Sequence, residues 1–150
     1  MKLTSRGELA LKAMLELAKT ETGDVDVSAA EIARRCQASV KFLEQVLNQL
    51  RGGGFVISTR GRLGGYHLAR PSDEIYVGEI SRLIDGPLAP APCASVTQHR
   101  SCDWCESEAN CDLKVVWTRV RDAIADVMDS TSLGDLLRTS AGRQRDRYAI

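Results

Sequence analysis

A mainly α-helical chain with one small β-hairpin and a long helix near its C-terminus is the fold class this sequence predicts. Three observations predict it. Apolar residues recur at three- and four-residue steps in separate segments between residues 5 and 50. Two β-rich runs flank a glycine-rich break between Phe55 and Arg70. Leu113, Val116, Trp117, Val120, Ile124, Val127 and Met128 then form one apolar stripe over roughly five turns.

Leu9, Ala13 and Leu17, with Ala10, Met14 and Ala18 beside them, predict a first helix over 5–19, and Ser5 followed by Glu8 has the form of a capping box. Ser28 and Glu31 repeat that form and open a short second helix ending near Cys36. After the break Gln37-Ala38-Ser39, Ser39 caps a third helix whose apolar face is Phe42, Leu43, Val46, Leu47 and Leu50. Gly52-Gly53-Gly54 stops it, because glycine is costly in a helix interior. Two short helices joined by a tight turn behind a longer supporting helix make a helix-turn-helix. The hairpin that follows carries Arg60 and Arg62 at its tip, which makes the unit a winged helix. Val77 to Ile84 reads as a fourth helix, closed by Asp85-Gly86-Pro87. The long apolar stripe exceeds what a domain of this size covers, so it reads as a dimerisation helix in preference to a core helix packed on the winged domain. A short helix over Ser132 to Leu137 and a polar, basic, loose tail from Thr139 complete the chain. The expected divisions are a winged helix-turn-helix domain (1–86), a cysteine-rich cofactor loop (87–111), the dimerisation helix with a short terminal helix (112–137) and a flexible tail (138–150).

Composition limits the function classes. With 150 residues, 43% apolar and 27% charged, the chain can bury one core. No uncharged stretch approaches the roughly 20 residues needed to cross a bilayer, and the amphipathic amino terminus lacks the apolar run of a signal peptide. A cytoplasmic protein is expected. The net charge of zero hides an asymmetry: residues 1–70 hold eleven Lys/Arg against seven Asp/Glu, and residues 71–150 hold nine against thirteen. Between Arg34 and Arg70 stand seven basic residues (Arg34, Arg35, Lys41, Arg51, Arg60, Arg62, Arg70) and the single acid Glu44. Phosphate backbones attract such a face by counterion release, and its place on a third helix and wing points to double-stranded DNA. The third helix is expected in the major groove with Ser39, Lys41, Glu44 and Gln45 at base edges, Glu44 accepting from a cytosine amino group or else pairing along its own helix. Arg60 and Arg62 suit a narrow minor groove or a phosphate.

CASVTQHRSCDWCESEANC, residues 93–111, holds four of the five cysteines. In a reducing compartment clustered thiols are more often metal ligands or redox sensors than structural disulfides. Cys93, Cys102, Cys105 and Cys111 can enclose an iron-sulfur cluster (2Fe-2S or 4Fe-4S) or a tetrahedral zinc, or remain metal-free and close a disulfide on oxidation; the intervals of eight, two and five residues match no standard ribbon or ferredoxin run. Cys36 reads as structural, and His99 as a solvated loop residue that could complete a Cys/His set. Trp117 is expected in the core and Trp104 over the cofactor or loop backbone. An enzyme reading, a thiol-disulfide oxidoreductase using Cys102 and Cys105, lacks the βαβ setting that chemistry needs.

With these elements in this order, MKLTSRGELALKAM, FLEQVLNQLRGGGFVISTRGRLGGYHLARP, VGEISRLIDGP and the cysteines before a Trp-bearing helix resemble the Rrf2 family of winged-helix repressors, over about residues 1–137. The most specific parts are Leu43-Glu44-Gln45, Arg60-Gly61 with Gly64-Gly65-Tyr66, and Cys93 eight residues after Asp85. The resemblance implies a cytoplasmic homodimer on palindromic promoter DNA, with an iron-sulfur cluster on three cysteines just before the dimer helix that senses iron, cluster supply, oxidants or nitric oxide. Cys93, Cys105 and Cys111 match those three. The longer interval from Cys93 to Cys105 and the extra Cys102 depart from the pattern. Lys114 stands where some relatives present a histidine ligand, and Glu8 where others supply an aspartate from the partner subunit.

Overall fold

The structure, a computed structural model, describes residues 3–21, 26–61, 64–103, 105 and 107–147. Arg62 and Trp104 lie outside them. The described chain forms six helices, α1 (Ser5–Ala18), α2 (Ala29–Cys36), α3 (Val40–Gly52), α4 (Val77–Asp85), α5 (Asp112–Asp129) and α6 (Leu133–Arg147), and two strands, β1 (Val56–Ser58) and β2 (Tyr66–Leu68).

α1 is capped one residue earlier than the sequence suggests. The Thr4 hydroxyl accepts from Gly7 N–H at 3.1 Å and donates to Asp85 at 2.5 Å, tying the start of α1 to the end of α4. Glu8, freed from the capping role, pairs with Lys12 at 2.7 Å on the exposed face. Gly7 makes room for the Asp85 carboxylate, which a Cβ at this position would displace. α2 and α3 start as expected, with Ser28 and Ser39 accepting from Glu31 N–H and Phe42 N–H. Between them Gln37 takes the left-handed conformation (φ 55°), while Ala38 N–H donates to Ala33 C=O and Gln37 N–H to Arg34 C=O. That is the Schellman closure of a helix, and it sets the tight turn of the helix-turn-helix.

The core is the inner side of this unit. Met14, Leu17, Ile32, Leu43, Val46, Leu47, Leu50, Ile75 and Ile80 are buried, contributed by α1 to α4 and the turn before α4. β1 and β2 pair antiparallel with Val56 opposite Leu68 and Ser58 opposite Tyr66, and Val27 adds a further rung against Tyr66. Gly65 lets that rung approach, since a Cβ there would stand 2.6 Å from the Val27 carbonyl oxygen.

The C-terminal half differs from expectation at its last helix. α6 runs to Arg147, well past Leu137, and it is not a satellite: Leu133 is fully buried in the winged core, with its N–H donating to Ile75 C=O at 2.9 Å. Ser132 and Asp135 cap α6 reciprocally, Ser132 N–H donating to the carboxylate and Asp135 N–H to the hydroxyl. α5 thus leaves the winged unit and α6 returns to it.

Candidate nucleic-acid interface and cysteine joint

Burying Leu43, Val46, Leu47 and Leu50 leaves Lys41, Glu44, Gln45 and Asn48 on the opposite, exposed face of α3, with Ser39 exposed at its start. Spacings of three and four residues put those four side chains in one row. Asn48 is the member sequence reasoning passed over, and its signal was present: it stands four residues after Glu44 and three after Gln45. Glu44 has no ion-pair partner among the described residues, so the expected alternative of a helical ion pair is not formed. At the wing, Arg60 is exposed beside Gly61, whose φ of 118° only glycine adopts readily.

The basic run is narrower in space than in sequence. Arg34 and Arg35 both hydrogen-bond Glu31, whose carboxyl they hold down to about 2. Arg70 bonds Glu79 at 2.9 Å and lies over the Phe55 ring at 5.3 Å, which makes it part of the wing's packing. Arg51 reaches the Ser58 hydroxyl at 3.3 Å, linking α3 to β1. Lys41, Arg51 and Arg60 remain as cations with no acidic partner among the described residues. The wing is braced from below, where Asp26 accepts from the Thr59 hydroxyl and meets His67 Nδ1 at 2.6 Å. Both contacts hold the Asp26 carboxyl below its usual range, Thr59 more than His67.

The cysteine segment joins the winged unit to α5. Cys93 is buried in the Pro92–Ala94 turn, which Arg121 of α5 clamps by donating to Ala94 C=O at 2.9 Å. Cys102, Cys105 and Cys111 are half-buried, and Cys105 donates its S–H to Cys111 Sγ at 3.5 Å. That contact, followed by burial and the neighbouring Cys102, pushes the Cys105 thiol up to about 12. Cys111 is the N-cap of α5. One carboxylate organises the rest of the loop: Glu108 Oε2 accepts from Lys114 at 2.9 Å and meets His99 Nε2 at 3.0 Å. Its other oxygen is buried with no partner among the described residues. Lys114 is therefore an ion-pair residue of the loop, its charge favoured first by Glu108 and then by Cys93 and Cys111. Glu8 and Lys12 pair on α1, and Cys36 lies beside α6 in a groove of about 1040 Å³, its thiol raised by burial.

These residues suit a soft metal in kind. Two thiolates sharing one tetrahedral ion at about 2.3 Å would stand roughly 3.8 Å apart, close to the Cys105–Cys111 separation. Among the described residues, however, no three His, Cys, Asp or Glu side chains surround a common point. Trp117, expected in the core, is only half-buried, as is every other α5 residue that is not exposed. Leu113, Val116, Val120 and Val127 are exposed. No helix among the described residues is long and apolar enough to cross a membrane.

Comparison with known proteins bears on all of this. A family model described as "Rrf2: Iron-dependent Transcriptional regulator" matches residues 3–139. An rrf2-like HTH-type transcriptional regulator of Rhodobacter capsulatus is 39% identical over 90% of this chain and 91% of its own. The solved structure of CymR, described as the global cysteine regulator of Bacillus subtilis, superposes with a TM-score of 0.73 at 36% identity, covering 91% of this chain and 95% of that one. The structure of IscR from T. potens gives a TM-score of 0.70 at 34% identity over 93% and 88%. Both the mainly helical fold with its two-stranded hairpin and its use on DNA are common to this group, whose members are transcription regulators and not enzymes.

Proposed function

This chain belongs to the Rrf2 family of DNA-binding transcription regulators, and on that premise we propose that it is a cytoplasmic homodimeric repressor of promoter DNA whose grip is set by the chemical state of its cysteine joint. The observation that carries the proposal is the position of Cys93, Cys102, Cys105 and Cys111 in the segment that runs from the reading head to the start of α5.

Ser39, Lys41, Glu44 and Gln45 take the base edges and phosphates of the major groove, and Arg60 with Arg62 takes the minor groove flanking it. The unpaired Glu44 supports base reading, since phosphate attraction alone disfavours an acid there. Homodimerisation is supported by α5 itself. Leu113, Val116, Val120, Ala123 and Val127 are exposed and follow one another at steps of three, four, three and four. That is a heptad seam, which a second α5 covers. A two-fold dimer presents its two α3 helices to a palindromic site about one helical turn, or a multiple of it, between half-sites.

The state that matters is an iron-sulfur cluster on the four thiols, a reading supported by their softness, by the Cys105–Cys111 spacing and by the family's description as iron-dependent. Such a cluster supplies one-electron chemistry and sensitivity to iron, oxidants and nitric oxide. The chain's own part is to hold the Cys93 turn on α5 through Arg121, so that any rearrangement of the loop moves the head against the dimer helix. A second reading, a metal-free dithiol switch, is favoured by the hydrogen-bonded Cys105–Cys111 pair; a zinc site is the third. Iron, acid-labile sulfide and zinc analysis after purification without air separates them. Stoichiometric iron with sulfide is the expected result, and protein free of both iron and sulfide contradicts the cluster.

A further inference from the structure

The four thiols of the joint are not equivalent, and from their placement we infer that Cys105 and Cys111 are the pair that closes to a disulfide when a hydroperoxide reaches the metal-free loop. The inference rests on the reading of this loop as the sensing element and names the chemistry it performs.

Three observations divide the cysteines. Cys93 is 5% exposed, and its turn is held by Arg121 and by Arg100 N–H donating to Pro92 C=O, so in the metal-free loop its sulfur is shielded from a peroxide in solution. Cys105 and Cys111 already touch through sulfur, at 3.5 Å. Cys102 adjoins Cys105 through the turn in which Cys105 N–H donates to Cys102 C=O at 3.2 Å, which leaves it as the neighbour able to exchange into the bond. Cys111 also sits at the start of α5, one turn before Lys114.

The reaction balances with the hydroperoxide alone. Cys111 sulfur attacks one peroxide oxygen, the O–O bond breaks, and with hydrogen peroxide one water leaves, giving a sulfenic acid. Cys105 sulfur then attacks that sulfur, the S–S bond forms, the S–O bond breaks and a second water leaves. Two thiols lose two electrons and two protons; the peroxide gains them. The five residues between the two sulfurs become a closed ring fastened to the first turn of α5, including the 3₁₀ turn Glu108–Asn110 that carries the Glu108 contacts to His99 and Lys114.

The test uses the full chain, purified without air, treated with a chelator and then with hydrogen peroxide. Free thiols are alkylated and the protein is cleaved before Asp103 and Asp112. The segment 103–111 should be lighter by two hydrogen atoms and unalkylated, with Cys93 and Cys102 alkylated. Cys111→Ser and Cys105→Ser should each abolish the link while keeping the helical circular dichroism of the parent, and Cys102→Ser should keep the link. A bond to Cys102 or Cys93, a bond between two copies, or oxidation without any bond overturns the assignment. Failure of the wider reading looks different: there the 103–111 link forms, and DNA binding by the same sample does not change.

Discussion

Glu44 is the residue at which affinity and specificity oppose each other. It is exposed on α3 with no cation to neutralise it among the described residues, in a row that must approach phosphates. Replacing it by alanine should raise affinity for unrelated DNA while flattening the preference at one base pair by about 1–3 kcal/mol; binding to a set of operator variants with single base changes checks this, and an unchanged preference removes Glu44 from base reading. Glu31 acts in the opposite way, as an anchor for charge. Its carboxyl is held down to about 2 from an ordinary 4.5 by Arg34 and Arg35. A depressed folded value means that its contribution is present above pH about 4.5 and is lost as pH falls toward 2. The thermal midpoint should therefore decline over that interval, and Glu31→Gln should decline less; equal slopes would show that the pair contributes nothing. Much at this scale was readable in the sequence: Ser28 and Ser39 cap their helices as the pattern indicates. The first cap was misplaced by one residue because Thr4 and Ser5 are chemically alike, and only the long-range bond from Thr4 to Asp85 separates them. The ion-pair partners of the basic run were equally unreadable, since Arg70 meets Glu79 through tertiary packing.

At the level of elements, periodicity located α1 to α5 because each must bury one face. It failed for α6 beyond Leu137, where the residues are polar and no apolar stripe marks a helix. What extends α6 is its anchoring: Leu133 is buried under the turn before α4, Ser132 and Asp135 cap the first turn, and Arg138 bonds Asp73 at 2.7 Å. Leu133→Ala should cost about 2–5 kcal/mol of stability, the usual range for emptying a fully buried leucine site. Urea unfolding checks it, and a loss under about 0.5 kcal/mol, the size of an ordinary surface change, would mean that α6 is an appendage. For the wing, the alternation of β-rich runs and glycines identified the hairpin, but the rung from Val27 and the Asp26–His67 brace come from a segment more than thirty residues away in sequence and left no local signal.

At the scale of the whole molecule, α5 is the element whose sequence and surroundings disagree unless a second copy is present. Its heptad seam is exposed in the single chain, while Arg82 on α4 holds Asp129 at its far end by two bonds of 2.6 Å. That fork ties the C-terminal end of α5 back to α4 of the winged unit. Val116→Glu with Val120→Glu should give a folded monomer in analytical ultracentrifugation and weaken binding to a two-half-site operator at least tenfold; a persistent dimer would place the interface elsewhere. The cysteines announced themselves in the sequence by crowding alone. Their inequality, with Cys93 buried and Cys105 paired to Cys111, depends on the path of the loop over α5 and was not readable from spacing.

A change of state at the cysteine joint should be felt at the reading head. The most direct measurement is the affinity of the dimer for one palindromic operator fragment, selected from a random DNA pool, with the joint in its reduced, metal-loaded state and after oxidation, at a single fixed salt concentration. A coupling of ordinary size changes that affinity by roughly fivefold or more, and Cys105→Ala should remove the difference; equal affinities in the two states would contradict the account.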